Sequence, residues 1–279
     1  MLKFFKHLKA LNRQRITNRR KVKFETVLSN KFDRANLELE YLRALLAKTS
    51  ELDLAGEPLK KFAVYSTYFG ASTTKTFNKA KINTQFDHYF ISNNEHILKI
   101  TQGIGWHPIF VKLPLSNNRV LSAQQSKVPK ALPHLFPALN NYELLLYVDD
   151  KIEFDACKIY GLSDSLMQNN YAMTIREHPS INANILNEFA VSMIQPRYQS
   201  QRDKVVEYIT QEIKRGRDLQ VNHLYWTSAI LRNMHHPDTK KIGENWYQDI
   251  LDCGIECQIS FDFIAQQYKT IGIMPQDIT

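Results

Sequence analysis

The run Leu144-Leu145-Leu146-Tyr147-Val148 passes directly into Asp149-Asp150-Lys151. Five apolar residues with an aromatic and a β-branched member read as a buried strand. Charge at the carboxyl end of such a strand falls at the lip of an α/β sheet, where ligands bind. The acidic pair there can hold a divalent metal or a sugar hydroxyl. Its plainer reading is a solvated turn.

The rest of the chain alternates in the manner of an α/β fold. Residues 61–69, 86–91, 106–113, 144–148 and 172–175 read as strands, and 122–132, 205–214 and 243–251 as helices. Residues 224–231 fit either, and Gly254 suits a helix C-cap. This order implies an α/β sandwich with a mostly parallel sheet. The 279 residues, 43% hydrophobic, allow one large domain or a domain with an appendage. No internal repeat interrupts the pattern.

The charge is uneven. Residues 1–24 carry nine Lys or Arg and no acid, leaving 27 basic against 28 acidic residues elsewhere, a net of −1. Phe4, Leu8 and Leu11 recur at helical spacing among these cations, which reads as a basic amphipathic helix on an anionic membrane surface, or as a solvated tail. No nucleic-acid module follows, so nucleic acid is not an expected partner. Leu28, Phe32, Ala35, Leu39, Leu42 and Leu46 alternate by four and three, a short heptad seam that packs on its own domain or pairs two copies into a dimer. Gly56-Glu57-Pro58 then breaks the chain, so an N-terminal helical extension is expected over 1–57 and the main domain over 58–279. No run approaches the roughly 18 apolar residues of a membrane span, and the N-terminus is a poor secretory signal. A cytoplasmic protein, peripheral at the inner membrane face, is the expectation. Cys157, Cys253 and Cys257 are too few for a disulfide framework and lack a zinc-finger partner pair.

Nucleotide loops of the G-x-G-x-x-G and Walker kinds, the G-x-S-x-G elbow and H-E-x-x-H are all missing from the sequence. What remains is polar residues at strand ends. Tyr65-Ser66-Thr67-Tyr68-Phe69-Gly70 closes the first strand at a turn that in α/β folds often touches a nucleotide. Lys130 and His134, four apart, precede the acidic strand, and a lysine there can neutralise a diphosphate as a point charge.

VPKALPHLFP followed by LLLYVDDKIEF resembles the glycosyltransferase-like family of the plant mucilage-related and turgor-regulation-defect proteins, which has bacterial members. Lys130, His134, Phe136, Pro137, Tyr142, Asp149 and Lys151 fit its pattern. So do Tyr65 with Phe69-Gly70, His178-Pro179 with Glu188, and Arg232, His235, Trp246 and Gln258-Ile259-Ser260-Phe261. The resemblance covers about residues 60–265. It departs at Glu256-Cys257, where the family has Arg-Asp, and at Asp150, where Gly is common.

The resemblance implies a GT-A-like nucleotide-sugar-binding sandwich. It also implies sugar transfer from a nucleotide-sugar donor to a glycan or lipid-linked acceptor, as in bacterial surface polysaccharide synthesis. Tyr65, Thr67, Lys130, His134, Lys151 and Gln258 are then donor-binding candidates. Asp149 and Asp150, with His235 or His236, can hold Mn²⁺ or Mg²⁺; alternatively Lys130 and Lys151 neutralise the phosphates without a metal. Glu188 and Asp262 are the candidate general bases, with His178 behind them. Two other readings stay open: a non-catalytic sugar- or nucleotide-binding protein of the same fold, which the altered Glu256-Cys257 suits, and a membrane-associated adaptor working through residues 1–50.

Overall fold

The computed structural model describes residues 60–74, 77, 83, 85–179 and 183–274, and Gln14 alone in the N-terminal region. The amphipathic helix expected over 1–24, the heptad seam over 25–49 and the break at 56–58 lie outside the described residues. The chain divides into two compact units, Met1–Leu45 and Leu46–Thr279. Every strand and helix named below belongs to the second.

Seven strands form one sheet: β1 (Lys60–Tyr68), β2 (Asp87–Ser92), β3 (His107–Phe110), β4 (Tyr142–Val148), β5 (Met173–Glu177), β6 (Tyr225–Asn233) and β7 (Ile271–Met274). Their order is β3-β2-β1-β4-β6-β5-β7. All pairings are parallel except those of β6, which runs antiparallel to both β4 and β5. The mostly parallel mixed sheet of an α/β sandwich, expected from the alternation, is the sheet the chain forms. β1 shows why: Phe62 to Thr67 are buried without alternation, the signature of a strand covered on both faces.

The principal helices are α1 (Glu95–Gly103), α2 (Arg119–Ala131), α3 (Ile185–Ser192), α4 (Arg202–Lys214), α5 (Pro237–Cys253) and α6 (Cys257–Ala265). α2 begins earlier than residue 122 because the Asn118 side chain accepts from the Val120 and Leu121 amides. β3 is shorter than the expected 106–113. It is an edge strand holding Pro108, and beyond Phe110 only Val111 N–H still reaches β2, at Ser92 O. Residues 224–231 resolve to strand. α1, α6 and β7 were not anticipated by the sequence reading.

α5 crosses α2 at Gly243, where a Cβ would stand 2.3 Å from the carbonyl oxygen of Ala131. That neighbour is backbone and cannot rotate away. Gly243→Ala gains about 1 kcal/mol of helix propensity but forces the two helices apart, for an expected net loss of about 1–3 kcal/mol. Urea unfolding of the variant checks this; unchanged or raised stability would show that α2 and α5 part freely.

Candidate active site

β1 and β4 run side by side with Tyr65 opposite Tyr147. Ser66 Oγ donates to Val148 O at 2.8 Å and ties the carboxyl ends of the two strands together. Asp149 N–H bonds Ser228 O at 2.8 Å, so the acidic turn is fastened to β6 as well. Because β6 is antiparallel, its amino end joins the carboxyl ends of β4 and β5 at this edge. The β5–β6 register slips between Ile175 and Arg176. Such irregularities re-aim side chains; here Trp226 comes under the Arg176 guanidinium, 4.4 Å from its ring centre, and 5.8 Å from the His178 ring.

Asp149 is the best-held group at the edge. Its Oδ1 accepts from Tyr147 Oη at 2.6 Å and from Lys130 Nζ at 3.3 Å. The Lys130 ammonium, 2% exposed, also lies 5.0 Å over the Tyr147 ring. Burial pushes the Asp149 carboxyl up, but Lys130, Lys127 and the Tyr147 hydrogen bond outweigh it and hold Asp149 below the usual carboxylate range. For Lys127 burial works against the charge, and the surrounding Cys257, Asp149 and Glu256 more than restore it.

A cavity of about 610 Å³ opens above this turn. Thr67 to Ser72 wall it from β1, Ser122, Ser126 and Lys127 from α2, and Asp149, Asp150 and Lys151 from β4. The turn after β1 is possible because Gly70 has φ +133°, with Ser122 Oγ 3.2 Å from where a Cβ would be. Arg119, Lys127, Lys151 and Arg197 bring four cations to the same space. Arg197 is oriented by Tyr198, whose hydroxyl it reaches at 2.8 Å. Acidic floor and cationic walls together suit a diphosphate, and the volume suits a small ligand.

The side chains that could hold a metal at this turn are those of Asp149 and Asp150. Two carboxylates at one turn are the hard oxygen donors that Mg²⁺ or Mn²⁺ would take, and are too few for an all-protein cage. Among the described residues no group of three or more His, Cys, Asp or Glu side chains is arranged to hold a metal. The expected third ligand, His235, is not with them. Met234 N–H bonds Glu143 O, which places His235 at the amino end of β4, the opposite edge of the sheet. His236 caps α5, accepting from Asp238 N–H through Nδ1.

Glu188 projects inward from α3 and is 5% exposed. Gln258 Nε2 donates to its Oε1 at 2.8 Å, and His178 Nε2 lies 3.8 Å from Oε2. Burial and the charge of Glu256 push Glu188 up to about 7 against the Gln258 hydrogen bond. The folded state therefore binds this proton more tightly than the unfolded chain, whose value is near 4.5. The contribution to stability is complete below that value and is lost as pH rises through about 7. Glu188→Gln removes the titration. Relative to wild type it is expected to gain about 3 kcal/mol between pH 4 and pH 8. Urea midpoints across that range test this, and parallel profiles for the two proteins would exclude it.

Asp262 lies one turn beyond Gln258 on α6. Its Oδ1 accepts from Tyr225 N–H at 3.0 Å, and its buried Oδ2 has no hydrogen-bond partner. Burial pushes its carboxyl well up, with Glu188 and Glu256 adding to the shift. Asp262 borders a separate cavity of about 450 Å³ with Arg217, Asn222 and His223. Asp262 thus opens onto a different cavity, whereas Glu188 is grouped with Gln258 and His178.

The structure thus gathers Thr67, Lys130, Asp149, Asp150 and Lys151 at one turn, and Glu188, Gln258 and His178 in a second group. Lys127 links the two groups electrostatically: it faces both Asp149 and Glu256, and Glu256 in turn acts on Glu188.

 

Three expected donor contacts lie elsewhere. Tyr65 is fully buried in the core, accepting from Arg232 Nη1 at 2.9 Å and donating to Pro129 O at 3.2 Å. His134 faces α5, with Nε2 3.5 Å from Glu244 Oε1. Gln258 bonds Glu188 and does not border the 610 Å³ cavity. Physical context explains each: Tyr65 sits mid-strand, and the turn of 3₁₀ helix from Pro133 to Leu135 carries His134 away from Lys130.

Arg119, Lys127 and Arg197 were missed. For Arg119 and Lys127 the one sequence signal is the stretch from His96 to Tyr142, which holds Lys and Arg but no acid, and Arg197 lies outside it. Glu256 and Cys257, the departures from the family pattern, sit at the start of α6, where Glu256 is the cap and accepts from Gln258 N–H. Trp246 is a core residue, donating to Cys257 O and packing edge-on against Phe261.

No family model matches the chain, and no curated protein matches it. Its course is similar to that of mouse xyloside xylosyltransferase 1 in its apo form, with a TM-score of 0.45 and 10% identity over 77% of this chain and 85% of that one. It is similar to the apo structure of the bifunctional glycosyltransferase WbbM at a TM-score of 0.41 and 10% identity, spanning 40% of that longer chain. The mannosyltransferase Ktr4p from S. cerevisiae matches at a TM-score of 0.35 and 9% identity, over 86% of this chain and 78% of that one. Among the described residues no helix is long and apolar enough to cross a membrane.

Proposed function

We propose that this chain is a GT-A-like glycosyltransferase that moves a sugar from a nucleotide-sugar donor to a glycan or lipid-linked acceptor. The observation that carries the reading is the cavity at the carboxyl ends of β1 and β4, with Asp149 and Asp150 at its floor and Arg119, Lys127, Lys151 and Arg197 in its walls.

Glycosyl transfer releases a nucleoside diphosphate while an acceptor hydroxyl attacks. Fixed cations aimed at the departing phosphates stabilise the charge that develops there. Lys127 and Arg197 are the half-buried cations of the cavity, and they do this with the least screening. Lys130 acts from below: it keeps Asp149 ionised and in one rotamer. Asp149 and Asp150 would hold a divalent metal, which would supply further Lewis-acid neutralisation. On the acceptor side Glu188 takes the hydroxyl proton. Gln258 orients its carboxylate, and turnover rises with pH through about 7 as Glu188 ionises. Trp226, set beside His178 by the β5–β6 irregularity, offers the acceptor an aromatic face.

A panel of nucleoside diphosphates and nucleotide-sugars, each with and without Mn²⁺, tests the reading by thermal shift. A ligand at about 100 times its Kd adds about 2.7 kcal/mol, a rise of several degrees for a domain of this size. A shift that needs Mn²⁺ supports the Asp149–Asp150 metal role, and an equal shift without it assigns neutralisation to the cations. No shift with any nucleotide would overturn the proposal. The second reading, a sugar- or nucleotide-binding protein without turnover, has Glu256-Cys257 in its favour. It predicts the same shift with no hydrolysis or transfer of the donor.

A further inference from the structure

From the last residue of β3 into the first turn of α2 the chain displays large apolar side chains where none is required by the core. Phe110, Leu115 and Leu121 are 42%, 55% and 40% exposed. Lys112 and Arg119, interleaved with them, are exposed as well. No Asp or Glu occurs from His96 to Tyr142, whereas Lys99, Lys112, Arg119, Lys127 and Lys130 do.

This display is held in place by hydrogen bonds. Pro114 O accepts from Asn93 Nδ2 and from Gln125 Nε2, both at 2.9 Å. Ser116 O accepts from Ala71 N–H at 3.0 Å and from Ser122 Oγ at 3.1 Å. Leu115 lies between two doubly anchored carbonyls, so its backbone has little freedom to fold the side chain back onto the protein. The next residues, Ser116, Asn117 and Arg119, border the 610 Å³ cavity.

We propose that residues 110–121 form a docking surface for an anionic lipid bilayer, with Phe110, Leu115 and Leu121 entering the interface and Lys112 and Arg119 meeting the headgroups. Aromatic and aliphatic side chains set among cations are the composition of surfaces that bind in the interfacial plane, and cations near an anionic leaflet are each attracted to it. The apolar side chains are spaced by charge, so each inserts on its own into a fluid surface. A protein partner needs a contiguous, desolvated patch. Docking in this way would put the cavity mouth at the membrane surface, where a lipid-linked acceptor would be. The inference concerns the described domain itself and stands apart from residues 1–24. It does not rest on the donor reading, because vesicle binding is measured without nucleotide.

The test uses the full chain and sedimentation with vesicles of phosphatidylcholine alone or with 30% phosphatidylglycerol, an assay composition of about physiological negative charge. Binding is expected to the anionic vesicles and to weaken with salt. Lys112→Glu is expected to lower the partition coefficient about tenfold or more, and Leu115→Ser to lower it while leaving the melting temperature unchanged, since Leu115 is exposed. Because residues 1–24 are also basic, a local readout is needed. Leu115→Trp, measured against wild type, is expected to gain blue-shifted emission that brominated lipids quench. Sedimentation with vesicles but no added quenching from Leu115→Trp would place the contact elsewhere and overturn the proposal. Equal binding to neutral vesicles, or no binding, would also overturn it. So would a dimer in solution that Leu115→Ser dissolves, because the surface would then belong to a second copy of the chain.

Discussion

If the chain transfers sugar as proposed, Asp149→Asn is expected to remove the nucleotide-dependent rise in melting temperature and to lower transfer about a hundredfold or more. The substitution keeps the shape of the side chain, so the Tyr147 hydroxyl can still donate to the remaining oxygen. What disappears is the negative charge that fixes Lys130, at 3.3 Å, and that faces Lys127. An uncompensated ammonium is then left in a site where Lys130 is 2% exposed, a costly arrangement. The variant is therefore expected to lose stability as well as binding. The two effects separate on titration: a stability loss appears without ligand, whereas the binding loss appears as a flat response to nucleotide. A variant that keeps full nucleotide response and turnover would show that the cavity is not the donor site. Lys151→Ala serves as the comparison. Lys151 is exposed at the rim, where charge is screened, so a smaller loss of affinity is expected.

Arg232→Ala is expected to destabilise the domain by about 3–5 kcal/mol, through a core cavity and hydrogen-bonding groups left without their partner. At roughly 2–4 °C per kcal/mol the melting temperature falls by about 10 °C. The guanidinium, 1% exposed in the middle of the sheet, donates to Tyr65 Oη at 2.9 Å and to Lys130 O at 2.6 Å. The second bond caps a carbonyl in the last turn of α2, where a cation also meets the negative end of the helix. The same residue therefore holds the backbone that carries Lys130 to Asp149. Arg232→Met fills the space without a buried charge and is expected to lose less stability than Arg232→Ala. If both variants are equally unstable, volume is irrelevant and the fork of hydrogen bonds alone matters. If neither is, the α2 terminus is held by its packing on α5.

Local pattern was enough where one element carried the signal. The apolar run into Asp149-Asp150-Lys151 announced both β4 and the turn at its end, because five consecutive buried residues exclude a half-exposed strand and the charges cannot follow them inward. Gly70 marked the end of the β1 turn for the same kind of reason, a backbone angle that other residues rarely adopt. α6 escaped notice because it is apolar nearly all round: Ile259, Ser260, Phe261, Asp262, Phe263 and Ile264 are all buried, so no 3.6-residue stripe separates a core face from a wet one. β7 escaped because four residues are too few to show a period.

Residue chemistry alone was a weaker guide to position. Lys130 and His134 share a spacing that would put them on one helical face, yet α2 ends at Ala131 and Pro133 starts a new turn, so only Lys130 points at Asp149. His235 has the right chemistry for a metal, but the direction of β6 decides its place. Had β6 run parallel to β4, the residues after its carboxyl end would have joined Asp149; running antiparallel, it delivers Tyr225 and Trp226 there and carries His235 to the far edge.

The sequence by itself determined most of the strands, the alternation that makes an α/β sheet, and the acidic turn at the end of β4, because these follow from which residues avoid water within a few positions of one another. The tertiary structure alone decided which charges share a cavity. Lys127 and Arg197 meet Asp149 across 22 and 48 residues of chain, and Glu188 meets Gln258 across 70. Coulomb energy and desolvation depend on distance through space and on burial, and neither is set by spacing along the chain.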